Sequence, residues 1–273
     1  MKRLWNVRCA MVLVAVAAFV TLGGLRAAEL VKSKDGKVVG YKDTPKLPWA
    51  PKWHAHDPDR PWPKDVDTGP AAPPRPAPSD AIVLFDGEDL SKWKSSEWKV
   101  GDGYFEATKG DLVTKQAFGD CQLHLQWRAP DPPRGRQMNR GNSGVLMMGK
   151  YEIQVFDSYT EKIYPDGIAA AVYGETPPMV HPIRKPGEWN TYDIVFTAPE
   201  FKDGKLVEPA RLTMFFNGVL VHLNTEIHGP VAWRRIALYE PHPEKLPLHL
   251  QAHGNPVRYR NVWIRPLDLD KGE

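Results

Sequence analysis

The sequence predicts an all-β sandwich of two antiparallel sheets. Three observations carry that expectation. Short runs of alternating apolar and polar residues recur from Ala81 onward, turn signals separate them, and no amphipathic helix of useful length interrupts them. About ten such strands at regular spacing, with no helices between, is the pattern of two sheets packed face to face. With 273 residues the chain has room for one large β domain or two small ones.

The N-terminus reads as an export signal over residues 1–28. Lys2, Arg3 and Arg8 form a basic start, and Ala10 to Leu22 is an uncharged apolar run. That run is shorter than the roughly 20 residues a membrane span needs and fits a signal peptide. Cleavage near Ala27 or Ala28 is expected, with an uncleaved anchor as the alternative. A periplasmic or secreted protein follows, with no stable membrane insertion after cleavage. The signal holds four basic residues and no acid, so its removal takes the formal charge from +3 to −1. No basic block remains, which argues against nucleic acid as a partner. Cys9 leaves with the signal and Cys121 stays alone, so the mature chain has no internal disulfide.

Residues 29–80 are polar and proline-rich, ending in PAAPPRPAPSD. Proline removes an amide donor and fixes φ, so this stretch supplies neither a central strand nor a long helix. It reads as an arm or linker outside the core of the folded domain. Trp49, Trp53 and Trp62 are costly to leave in water and predict that part of the arm lies on that domain. His54 and His56 have metal-like spacing, which is weak evidence on an arm without regular structure.

The folded domain is expected over residues 81–268. Ile82 to Phe85 is a short apolar strand. Trp98 to Val100 and Tyr104 to Ala107 flank the turn Gly101-Asp102-Gly103. Cys121 to Arg128 alternates strictly, with Cys121, Leu123, Leu125 and Trp127 on the core side. Arg211 to Phe216 and Val219 to Asn224 are closed by Asn217-Gly218, a strong hairpin signal. Trp189 to Phe196, Leu246 to Ala252 and Tyr259 to Pro266 complete the strands, and Trp189, Trp263 and Phe216 read as core. Tyr159 to Pro186 has no periodic pattern and is long enough to suggest a functional excursion.

The chemistry centres on NSGVLMMGKYEIQVFDS, Asn142 to Ser158. It reads as a hairpin turning at Gly149-Lys150. In its second strand Glu152 and Gln154 share one face, and Ile153 and Val155 share the other. Asp157 joins the polar face only if a bulge turns it back. His249, Gln251 and His253 likewise share one face of a later strand. Arg140, Asn142, Tyr173, His181 and Arg184 form a loop set nearby. Carboxylates, histidines and aromatics on one sheet face suit a carbohydrate ligand. His222 and His228 read as solvated.

The run E-I-Q-V-F-D resembles the active strand of jelly-roll β-glucanases, where two glutamates flank an aspartate. Here Gln154 stands in place of that aspartate and Asp157 in place of the second glutamate, which argues against ordinary retaining hydrolysis. Five motifs in order resemble the 3-keto-disaccharide hydrolase domain family: LFDGEDLSKW, GNSGVLMMGKYEIQVFDSY, PGEWNTYDIVFTAP, NGVLVH and LQAHGNPVRYRNVWIRPL. The resemblance implies a concanavalin A-like jelly roll and a hydrolase or lyase acting on glycosides oxidised at C3. A ketone at C3 acidifies the C2 hydrogen, so a base there and an acid at the leaving oxygen suffice. On that reading Glu152 and His253 are base and acid, in either order. Arg140, Gln154, Gln251 or a divalent cation holds the keto oxygen, and Asp157 orients a histidine or binds metal. Beyond that cation no cofactor is implied, and no set of metal ligands can be named. The alternative is a non-catalytic carbohydrate-binding module on the same fold.

Overall fold

The alternation in Cys121–Arg128 decides where the core lies. Cys121, Leu123, Leu125 and Trp127 are fully buried on one face of the strand, as the periodicity requires. The structure, a computed structural model, describes residues 29–71 and 73–269. The signal peptide or anchor expected over residues 1–28 lies outside the described residues.

Twelve strands build the sandwich. They are β1 (Ile82–Phe85), β2 (Lys99–Gly101), β3 (Tyr104–Glu106), β4 (Leu112–Phe118), β5 (Cys121–Arg128) and β6 (Ser143–Met147). Then come β7 (Tyr151–Val155), β8 (Asn190–Thr197), β9 (Arg211–Phe216), β10 (Val219–Glu226), β11 (Leu246–Leu250) and β12 (Arg258–Pro266). The larger sheet runs β10-β9-β8-β5-β12-β3-β2, with β1 also pairing β12, and the smaller runs β7-β6-β11-β4. Neighbouring strands in both sheets are antiparallel.

Between the sheets, the inward residues of β5 and β8 meet Val145, Ile153, Val155 and Leu250 of the smaller sheet in one buried cluster. Each large apolar side chain fully buried there contributes about 1.5–3 kcal/mol. Burial pushes the Cys121 thiol up to about 12, so it is an inert filler. Phe216 belongs to this core, but the two tryptophans do not. Trp263 is buried on the outer face of the larger sheet, stacked on His124 with ring centroids 5.0 Å apart. Trp189 is half-buried under the guanidinium groups of Arg128 and Arg260.

The turns follow local chemistry. Asn217 (φ 52°) and Gly218 (φ 80°) form the two-residue loop between β9 and β10, both in the left-handed region that this hairpin requires. The hairpin between β6 and β7 turns one residue earlier than the sequence suggests, with Met148 (φ 55°) and Gly149 (φ 64°) both left-handed. A Cβ at Gly149 would lie 2.8 Å from the His249 ring, so glycine is needed there on two counts.

Two segments cover the outer face of the smaller sheet. The excursion after β7 returns along that strand's free edge. Gln154 N–H donates to Ala171 O (2.9 Å), and Tyr173 N–H donates to Glu152 O (3.0 Å). The proline-rich arm is an ordered cover rather than a free linker. Its short strand Lys64–Asp65 runs parallel to Val180–His181 of the excursion. Tyr41 joins Phe156, Ile163, Tyr164 and Ile168 in a second apolar cluster apart from the main core. Trp49 stacks on His228 at 4.1 Å, and Trp62 packs edge-on against His181.

His222 ties the excursion to the larger sheet. It is buried on β10, and its Nε2 donates to Ala170 O at 2.8 Å. Burial pulls its pKa down to about 4, although the carbonyl works the other way. The folded pKa lies below the unfolded value of roughly 6.5, so between these values the unfolded chain holds the extra proton. The neutral ring's contribution is therefore present above about pH 6.5 and is lost as pH falls towards 4. Chemical-denaturation curves from pH 7 to 4 should show the stability difference between wild type and His222→Gln shrinking by about 2–3 kcal/mol. A difference independent of pH would refute this role.

Candidate functional site

The polar face of the smaller sheet is built by register. Gly144 lies opposite Gln154, and Leu146 lies opposite both Glu152 and His249. Gln251 has left the regular strand, yet its N–H still donates to Gly144 O (2.9 Å), and Ser143 Oγ donates to its carbonyl (2.6 Å). Two rows result: Gln154, Gly144 and Gln251 in one, and Glu152, Leu146 and His249 in the other. All of these side chains point away from the inter-sheet core.

Over this face lies a cavity of about 500 Å³. Glu152, Gln154, Gln251 and Asn142 line it from the sheet side, with Tyr173 from the excursion and His253 from beyond β11. The remaining wall comes from Tyr41, Met138 and the segment Val231, Ala232, Trp233 and Arg235. Six residues expected at the site, Asn142, Glu152, Gln154, Tyr173, Gln251 and His253, thus share one cavity.

Glu152 is the acid of that cavity. It is 5% exposed, and burial, then the nearby charge of Asp111, pushes its pKa up to about 8. Its carboxyl group lies against Gly144, where a Cβ would come within 2.3 Å of Glu152 Oε1. Glycine inside a strand here makes room for a functional side chain. Among the described residues lining the cavity, Glu152 is the one carboxyl group.

The amides around it are oriented. Gln154 Oε1 accepts the N–H of Val155 (3.1 Å), which leaves its NH₂ end as a donor for the cavity. Asn142 Nδ2 donates to Met138 O (2.8 Å), which leaves its carbonyl oxygen as an acceptor. Tyr173 is held by a hydroxyl–hydroxyl bond to Tyr164 (3.0 Å). His253 is exposed at the rim. Its carbonyl accepts from Asn255 Nδ2 (2.8 Å), and Asn255 Oδ1 accepts the N–H of Gly141 (2.9 Å).

Five expected residues lie elsewhere. Asp157 does not return to the Glu152 face, because β7 ends at Val155 and the carboxylate is taken by Arg140 Nε at 2.8 Å. That part-buried pair staples the loop before β6 to the turn after β7, so neither member lines the cavity. Arg184 is held by Asn217 Oδ1 and by the carbonyls of Gly69, Pro70 and Trp189. With His181 it lines a separate cavity of about 720 Å³ against the arm. His249 is half-buried, and burial lowers its pKa. It faces Gly149 and does not line the Glu152 cavity.

His181 has the connectivity of a nucleophilic triad. Its Nε2 is 2.8 Å from Ser158 Oγ, and its Nδ1 is 2.8 Å from Asp65 Oδ1. The exposure is the reverse of what catalysis needs. Ser158 is fully buried, while the Asp65 side chain is 70% exposed. No substrate reaches the hydroxyl, and the three residues act as a clasp between arm and domain.

Neither histidine of the arm pair is arranged for metal. His54 Nδ1 lies 2.6 Å from Thr44 O, and His56 Nε2 accepts the N–H of Arg234 at 3.2 Å. Among the described residues no three His, Cys, Asp or Glu side chains gather as a metal cage. No helix there is long and apolar enough to cross a membrane.

Sequence reasoning missed Tyr41, Met138, Trp233, Arg235 and Gly144. The arm's proline content hid Tyr41. Trp233-Arg234-Arg235 lies in a stretch without strand periodicity, where a large aromatic had no core to enter. Gly144 was visible as a glycine inside a strand.

Comparison with known proteins agrees with the fold. A candidate glycosyl hydrolase of Parabacteroides distasonis ATCC 8503, solved at 2.13 Å, is 44% identical with a TM-score of 0.68, covering 70% of this chain and 85% of its own. Two more from that organism share 20% and 23% identity at TM-scores of 0.50 and 0.51. They cover 69% and 68% of this chain and 94% and 99% of their own, and support the fold alone. No curated protein matches the chain. The model of the 3-keto-alpha-glucoside-1,2-lyase-like domain matches residues 80–265, the whole sandwich with its Glu152 hairpin. The chain belongs to the 3-keto-alpha-glucoside-1,2-lyase-like domain family.

Proposed function

We propose that this protein cleaves glycosides whose sugar is oxidised at C3, by elimination across C1 and C2 followed by addition of water. One observation carries the proposal. The cavity holds a single buried carboxyl among neutral amides, not the pair of carboxyls that flank a bond in ordinary glycosidases. Elimination beside a ketone needs one acid, one base and a donor to the keto oxygen, and the cavity offers each.

The roles follow from charge state and placement. At neutral pH Glu152 is mostly protonated and can donate to the departing C1 oxygen. A ring nitrogen of His253 takes the C2 proton. The electron pair of that C–H bond becomes the C1–C2 double bond as the C1–O bond breaks. Charge building on the C3 oxygen is met by the donor end of Gln154, with Gln251 beside it. Water then adds to C1, losing its proton to the Glu152 carboxylate, while His253 returns its proton to C2. Both groups end as they began. A divalent cation at the keto oxygen is not required by this scheme. Export to the periplasm or the medium completes the reading.

The second reading, carbohydrate binding without turnover, draws on Trp233, which is 53% exposed at the cavity wall. Incubation with a 3-keto-glucoside and with its unoxidised parent separates the two. Release of the aglycone from the keto form alone supports the lyase or hydrolase. Binding of either compound without release supports the module.

Two variants test the assignment. Glu152→Gln should lower turnover by roughly 10²–10⁴-fold, the usual worth of a general acid, and wild-type kcat/KM should fall above about pH 8. The same variant should be more stable than wild type in alkali. The carboxyl's folded pKa lies above its unfolded one, so its protonated-state stabilisation is complete below the unfolded value and is lost as pH rises towards 8. Thermal melts should therefore show the gain of Glu152→Gln over wild type growing from pH 5 to pH 8, by a few kcal/mol in order of magnitude. A folded Glu152→Gln with near wild-type turnover would sink the mechanism.

Gly144→Ala is the steric counterpart. Its methyl group meets Glu152 Oε1, so the carboxyl must swing aside. Turnover should drop at least tenfold, by the sensitivity of catalysis to ångström-scale misplacement, while circular dichroism stays that of a β protein. Full activity in a folded Gly144→Ala would show that the position of the carboxyl does not matter.

A further inference from the structure

We propose that the arm completes the site: Tyr41 and Trp233 form an aromatic corner that receives a ring in the leaving group, and arm residues Asp43 and His56 hold that corner in place. The proposal rests on the Glu152 cavity being the glycoside site, and it assigns a task to a segment outside the family domain of residues 80–265.

The corner is built from two distant parts of the chain. Tyr41 and Trp233 both line the cavity, with ring centroids 6.0 Å apart and planes at 85°. Tyr41 is buried, whereas Trp233 leaves half its surface open. No hydrogen bond to the Tyr41 hydroxyl is present among the described residues, so its polar end is available to a ligand. An open indole face beside a hydroxyl suits a sugar or aryl ring, which offers a flat apolar face and a polar edge.

The Trp233 segment is under backbone strain, and the arm sustains it. Arg234 has φ 58°, a left-handed conformation that a bulky residue adopts only under strain. Such a residue persists only where its surroundings over-determine it. Here the Arg234 N–H donates to His56 Nε2 at 3.2 Å. Its guanidinium group pairs with the Asp43 carboxylate and lies over the Tyr41 ring at 4.9 Å. All three contacts come from the arm.

His56 is itself fixed. It is fully buried at φ 61°, and its N–H donates to Asp166 Oδ2 at 2.8 Å. Its ring lies 4.2 Å from Tyr164 and 5.1 Å from Tyr173, which lines the same cavity. Gly40 lets the chain pass, since a Cβ there would lie 2.5 Å from His56 O. The arm is thus keyed into the domain directly behind the site, and Asp43 and His56 are positioning residues.

The test separates ring recognition from chemistry. Full-length protein is assayed on three 3-keto-glucosides, with methanol, p-nitrophenol or glucose as the leaving group. Trp233→Ala should lower kcat/KM on the two ringed substrates by roughly tenfold more than on the methyl compound, the order expected for one aromatic platform. Asp43→Ala should reproduce that selective loss through KM, and Asp43→Glu should restore it. Asp43 is half-exposed, so these variants avoid the unfolding that a buried His56 variant risks. Aryl and sugar rings tell the source apart: loss on one alone identifies the natural leaving group. Calorimetric binding of methyl glucoside, phenyl glucoside and a glucose disaccharide gives a readout independent of turnover. If wild type cleaves no keto-glycoside yet prefers ringed ligands, and Asp43→Ala removes that preference, the corner stands and the reaction falls. If variants lose activity equally on all three substrates, or wild type shows no ring preference, the corner is overturned.

Discussion

Everything outside the sandwich depends on one constraint: a carboxyl group must be kept dry on the outer face of a four-stranded sheet. An outer sheet face normally meets water, and a glutamate there would ionise at its ordinary pKa. Glu152 instead sits 5% exposed with its pKa pushed up to about 8. The sheet cannot do this alone, because β7 is an edge strand and its outer face is open. The excursion along that edge, the Trp233 segment and the arm together close it. Their backbone polar groups are satisfied by bonding to β7, to Lys150 and to one another.

The arrangement divides stability from function. The inter-sheet core supplies apolar burial, and its alternating residues would form a sandwich whatever lay on the outer faces. The outer layer carries the costs. It covers the desolvated acid and contains left-handed Arg234 and His56, and the buried atoms His56 Nδ1 and Asp166 Oδ1, which make no hydrogen bond. Unfavourable features gathered in one layer beside one cavity are what a site requires, since perturbed groups and strain persist only where surrounding structure supports them.

The fold was legible because its signals are local. Strict alternation in Cys121–Arg128 and the Asn217-Gly218 turn each specify geometry within a few residues, and the structure places both as expected. The pairing of Glu152 with Gln154 was legible for the same reason. Asp157 was not, because its direction depends on a bulge that does not form and on Arg140, which lies 17 residues away. The clustering of His181 and Arg184 away from Glu152 is equally non-local, set by Asp65 and Asn217. Local composition misled most in the arm. Proline content rules out long strands and helices, but it does not rule out an ordered cover held by side chains and isolated bridges.

The ordered arm lies outside the family boundary. The matched region, residues 80–265, coincides with the sandwich and contains Glu152, Gln154, Gln251 and His253. It does not contain Tyr41, and it contains Trp233 without the partners that hold it. The boundary takes in the polar face and its acid. The cavity wall is made by the segments laid over that face. In this chain the cover includes an N-terminal arm keyed by His56 into the back of the site, so Tyr41 and the arm residues that hold Trp233 lie across the boundary from Glu152. On the proposed reading, a change of leaving-group selectivity then requires no change in the sandwich itself, only a different cover on the same sheet.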